Sequence, residues 1–140
     1  MKIRRFLSAC GVVLAICVSG CEWGADFDAE VVKISFEPSD VRVNDKLRFD
    51  YTVGNAGDRL IPQGTYEVEL VVDGEVVAFD RDTSSIEPDC HVRYYISEDA
   101  FHWIAPRKGV FTYEVRILTS LFHDDLNPEN NVMWGTVTVK

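Results

Sequence analysis

Two groups of residues in this chain have types and spacing that could do chemistry. The first is a cysteine, Cys21, placed directly after two small residues, Ser19 and Gly20. A thiol is a nucleophile in its ionised form, which makes this cysteine a candidate for covalent chemistry. The second is an oxygen-rich string: Asp124, Asp125, Asn127, Glu129, Asn130 and Asn131. Carboxylate and amide oxygens are the hard donors that Ca²⁺ gathers, about six to eight at a time. Asp124, Asp125, Asn127 and Glu129 are therefore candidate Ca²⁺ ligands, although no EF-hand spacing accompanies them. The plainer reading is that Asn127 and Asn130 fix turns through side-chain to backbone hydrogen bonds.

Other chemistries lack their residues. His91, His102 and His123 are scattered, whereas zinc needs about four convergent donors. No Gly-x-Ser-x-Gly, phosphate-cradling glycine loop or His-Glu-x-x-His occurs. The chain is read as non-enzymatic, with no catalytic residue and no cofactor. A second acidic string, Asp80-Arg81-Asp82-Thr83-Ser84, lacks the Gly and terminal Glu of an EF-hand loop and reads as a solvated loop.

The segment ahead of Cys21 sets that thiol's fate. Lys2, Arg4 and Arg5 form a positive start, and Phe6 to Val18 is almost purely apolar. That run of about 13 residues suits an export signal and is too short to span a bilayer, which takes about 20. Val18-Ser19-Gly20-Cys21 resembles the lipobox of bacterial lipoproteins. The resemblance implies cleavage between Gly20 and Cys21 and a diacylglycerol on the Cys21 sulfur. Two or three acyl chains hold a protein firmly, at about 0.8 kcal/mol per buried CH₂. The expected layout is a signal over 1–20, a lipidated cysteine and tether over 21–29, and one domain over 30–140. Asp26-Phe27-Asp28 falls in the tether, which reaches roughly 30 Å when extended.

Removing 1–20 leaves 11 basic residues against 23 acidic ones, a formal charge of −12. Nucleic acid is not an expected partner, because binding it needs clustered Lys and Arg. The surface charge serves solubility. Cys10 and Cys17 go with the signal and Cys21 carries lipid, so Cys90 is left alone and no internal disulfide is available. It reads as a small buried side chain or a quiet loop thiol.

From Glu30 onward the hydrophobic period is two. Val32, Ile34 and Phe36 alternate with polar residues, as do Leu47 to Val53, Tyr66 to Val72 and Phe111 to Ile117. Shorter strands are expected at Glu75 to Phe79, His91 to Ser97 and Val132 to Val139. Asp73-Gly74 is a strong signature for a type I′ hairpin turn. About seven strands with turns between them predict an all-β fold, a two-sheet antiparallel sandwich. Trp103 and Trp134 are expected to pack in the core or on a sheet.

The order of these signals resembles the CARDB domain, the immunoglobulin-like module named for cell adhesion in bacteria, from about Val31 to Val139. The resemblance is carried by Asn44-Asp45 before the second strand, Asn55-Ala56-Gly57 after it, and the hairpin Val68 to Val76. It continues through Trp103-Ile104-Ala105-Pro106 with Gly109-Val110-Phe111, and Glu129-Asn130-Asn131. Asn44 stands where that family usually has Gly, and Pro88-Asp89 where Pro-Gly is usual. The resemblance implies an immunoglobulin-like sandwich used for binding or spacing in the cell envelope. Expected partners are the membrane, through the lipid on Cys21, and an envelope or surface protein. The competing reading is a small Ca²⁺- or ligand-binding lipoprotein.

Overall fold

The computed structural model describes residues 27–94, 101–119 and 125–140. Gly20, Cys21 and Asp124 lie outside them. Among the described residues, eight strands make two antiparallel sheets. They are β1 (Ala29–Glu37), β2 (Lys46–Asn55), β3 (Tyr66–Val72), β4 (Glu75–Asp80), β5 (His91–Tyr94), β6 (His102–Ile104), β7 (Gly109–Thr119) and β8 (Val132–Val139).

β2 is the centre of the first sheet, with β1 on one side. On its other side β5 pairs with Tyr51–Gly54 and β6 with Lys46–Arg48, end to end along one edge. The second sheet runs β4-β3-β7-β8. The strand missed by the sequence is β6. Three residues are too few to show a period, and Trp103 fits either a strand or a loop. The strand expected over His91 to Ser97 is described as far as Tyr94.

Alternation fixes the faces, because a slip of one residue would turn every side chain over. Leu47, Phe49, Tyr51 and Val53 face Val68, Leu70, Val115, Ile117 and Val137 across one continuous core. Aromatic rings join the layers: Phe49 meets Phe36 at 5.4 Å and Tyr113 at 5.2 Å. Trp103 is buried edge-on against Phe111 at 4.8 Å. Such pairs add about 0.5–1.5 kcal/mol each beyond the area they bury.

The turns use the residues that tolerate left-handed backbone. Asp73 and Gly74 have φ of 49° and 86°, as a type I′ hairpin requires. Asn44, at φ 72°, and Asp89, at φ 57°, take over where glycine was the expected residue.

Three expectations are corrected. Trp134 is 71% exposed rather than packed. Val137 and Val139 point inward, so Gly135 does too, and Tyr113 occupies the space a Gly135 side chain would need; Trp134 is left on the outer face. Phe27 and Ala29 are buried in the core, so the domain starts inside the expected tether. Cys90 is exposed on the loop before β5, which removes the buried alternative.

Candidate functional site

The oxygen-rich segment folds as a short 3-10 turn, Pro128–Asn131, leading into β8. It is tied to the start of the domain. Phe27 and Asp125 form a parallel bridge, and the Leu126 N–H donates to the Phe27 carbonyl at 2.8 Å. This brings Asp28 and Asp125 beside Asn130 and Asn131. Asn130 Nδ2 donates to Asp28 Oδ1 at 2.8 Å, and Asn131 Nδ2 donates to Asp125 Oδ2 at 3.0 Å. Among the described residues neither carboxylate has an ion pair. The nearby Arg59 guanidinium lies over the Phe27 ring at 4.6 Å.

The sequence-named ligands separate here. Asp125 is in the cluster, while Asn127 and Glu129 are exposed outside it. Among the described residues, neither Asn127 nor Asn130 fixes the turn with its side chain. Asp125 does so, its Oδ1 accepting from the Asn127 N–H at 3.1 Å. The residue the sequence did not offer is Asp28. Its partner lies 102 positions away, and only the fold brings the two together.

A second polar cluster lies between the sheets, near the β4 end. The Tyr51 hydroxyl donates to Asp80 Oδ2 at 2.8 Å. Tyr66 and Tyr94 share a hydroxyl–hydroxyl bond of 2.6 Å, and Tyr94 also accepts from the Ser84 N–H at 2.7 Å. Tyr51 stacks on Tyr94 at 5.0 Å. Burial, with the bond to Asp80 second, pushes the Tyr51 hydroxyl pKa far above the ordinary phenol value. Burial and then the Tyr94 bond raise that of Tyr66 in the same direction. The string expected to be a solvated loop is thus partly built in: Asp80 holds Tyr51, and buried Thr83 donates to the Tyr66 carbonyl at 2.8 Å. A groove beside this cluster is lined by Thr65, Tyr66, Glu67, Arg81 and Leu118, but Glu67 and Arg81 already pair with each other at 2.9 Å.

His91 lies 3.7 Å from Glu30 across Gly54, and no group of three or more His, Cys, Asp and Glu able to hold a metal occurs among the described residues. Exposed apolar side chains gather on the second sheet. Val76, Val77 and Phe79 lie on the edge strand β4, and Val132 and Trp134 on the opposite edge strand, β8.

No family model and no curated protein matches the sequence. Solved structures do. A CARDB domain from Pyrococcus furiosus, described in complex with di-metal ions, is 22% identical with a TM-score of 0.65; the match covers 84% of this chain and 91% of that one. A solution structure of that Pyrococcus domain gives 23% identity and a TM-score of 0.61, over 81% of this chain and 94% of that one. A domain named for a cell surface protein of Methanosarcina acetivorans is 22% identical with a TM-score of 0.57, over 81% of this chain and 93% of that one. At this identity the likeness speaks for architecture, and the chain folds as a CARDB-like, immunoglobulin-like β-sandwich.

Proposed function

We propose that the chain is a non-catalytic binding module, lipid-anchored through Cys21 on the outer side of a bacterial membrane. The anchor rests on the order of charge, apolar run, small residues and cysteine over residues 2–21. The cell-surface context of the Methanosarcina domain agrees with that placement. The observation that carries the binding role is the β4 edge. It leaves a row of backbone donors and acceptors beside Val76 and Phe79, which are 51% and 52% exposed. The register shift at Val77 is one bulge in this edge, and the residues on either side of it can accept an extended strand from another protein.

The charge at this edge selects the partner. Antiparallel pairing of two β4 strands would set Glu75 against Asp80 at both ends, a like-charge contact that disfavours self-association. An extended segment with alternating apolar residues and Lys or Arg at its flanks fits better.

The full chain, expressed in a bacterial host with radiolabelled palmitate, tests both parts. Wild type should take up label and stay with membranes after carbonate washing, while Cys21→Ala should lose both. Retention of Cys21→Ala in washed membranes would end the anchor reading. Phe79→Asp should abolish partner cross-links formed by wild type, and an unchanged cross-linking pattern would end the edge reading.

A further inference from the structure

The cluster at the start of the domain is an unfinished polar network. Buried amides are normally paired at both their oxygen and their nitrogen. Asn131 is only 6% exposed, and its amide is aimed at Asp125. Among the described residues, its Oδ1 and the Oδ1 of Asn130 are buried without any hydrogen-bond partner. Each unpaired oxygen shares a carbon with the nitrogen that already reaches a carboxylate. Among the described residues, two carboxylates without an ion pair and two half-used amides thus meet at the Phe27–Asp125 bridge.

We propose that Asp28, Asp125, Asn130 and Asn131 form a binding site for one hard divalent cation of the Ca²⁺ class. Half a turn of each amide about its Cβ–Cγ bond exchanges oxygen for nitrogen with no change of shape. The exchange turns both amide oxygens toward the carboxylates and gives up the two N–H donors there; the bound cation replaces those donors, and the unpaired atoms become two amide nitrogens in place of two oxygens. Four side chains then offer as many as six oxygens: two from each carboxylate and one from each amide. Ca²⁺ accepts such an irregular set, with water or backbone carbonyls completing it, whereas Mg²⁺ demands a near-ideal octahedron.

The positions give the ion a structural task. Asp28 stands one residue before β1, and Asn131 one residue before β8. A cation between them cross-links the entry of the first strand to the entry of the last. It stiffens the end of the sandwich where β1 begins, and the site does not depend on whether Cys21 carries lipid.

Titration of the detergent-solubilised full chain with CaCl₂ tests the proposal, read by calorimetry and by the thermal midpoint. The expected result is one saturable ion per chain, with a Kd on the order of 10⁻⁴–10⁻³ M as in extracellular modules, and a raised midpoint. Asp125→Asn and Asp28→Asn should each weaken binding by about tenfold or more. MgCl₂ should displace Ca²⁺ poorly. Absence of a saturable response at millimolar CaCl₂ overturns the site. So does an equal response in wild type, Asp28→Asn and Asp125→Asn, which would place the ion elsewhere on this acidic surface. If Asp125→Asn does not fold, Asp28→Asn decides, because Asp28 is only half-buried and its loss leaves the core intact.

Discussion

Two buried asparagines in this sandwich have opposite fates. Asn55, 1% exposed at the end of β2, uses its whole amide. Its Oδ1 accepts from the Gly57 N–H at 3.1 Å, and its Nδ2 donates to the carbonyls of Arg59 at 2.7 Å and Ile86 at 3.1 Å. Asn131, 6% exposed at the entry to β8, uses only its nitrogen. Burial costs an amide about the same wherever it happens. The difference is what the surroundings return. Around Asn55 they are backbone groups of the following loop and of the Ile61–Ile86 bridge, so the residue closes a turn and ties it to that bridge. Around Asn131, among the described residues, the one partner is a carboxylate, so half of the amide is left over.

The largest expected effect follows from the closed network. Asn55→Ala takes the side-chain partner from the Arg59 carbonyl and the Gly57 N–H and leaves the Ile86 carbonyl with only the Ile61 N–H, and should cost about 3–5 kcal/mol in urea denaturation. A loss below about 1 kcal/mol would mean that water reaches these groups and that the two asparagines are less different than their bonds suggest.

Next comes the tyrosine cluster, which is also closed. Tyr51→Phe keeps the ring stacked on Tyr94 but leaves Asp80 Oδ2 without its donor, at an expected cost of about 1–3 kcal/mol. The cluster also sets a pH limit. Tyr51 and Tyr66 have pKa values raised in the folded state, chiefly by burial, so the folded chain keeps protons that the unfolded chain releases near pH 10. Their contribution is complete below about pH 10 and is lost as pH rises above it. The urea midpoint should therefore fall steeply above that pH, and the Tyr51→Phe, Tyr66→Phe double variant should flatten the slope.

The sequence made the closed parts far more legible than the open one. Alternation in Leu47 to Val53 and Tyr66 to Val72 is local, and so are the turn residues Asn44, Asp73 and Asp89, so strands and hairpins could be placed before any fold was known. Asn55-Ala56-Gly57 was also visible as a unit. Trp134 was misread because the residue deciding its face is Tyr113 on the neighbouring strand. The cluster around Asn131 was half legible. A run of oxygens marked 124–131, but Asp28 looked like tether, because it meets Asn130 only once β1 and β8 lie in the same sandwich. Sequence spacing reports contacts a few residues apart, and this site is closed by the whole fold.

Without added cation, Asn131→Ala should cost only about 1 kcal/mol, since one hydrogen bond is lost and half-buried Asp125 can turn to water. This contrast with Asn55→Ala isolates what pairing contributes at equal burial.

The smallest effect carries the sharpest sign. Asn131→Asp changes almost no volume but sets a third carboxylate beside Asp28 and Asp125. In chelator the like charges repel, and the variant should melt slightly below wild type. In CaCl₂ the same charge becomes an additional anionic ligand, and stabilisation grows as RT ln(1 + [L]/Kd), about 1.4 kcal/mol at about ten times Kd. The order of the two midpoints should therefore reverse on adding calcium. A merely structural turn would keep one order in both buffers, because it gives the new carboxylate nothing to bind.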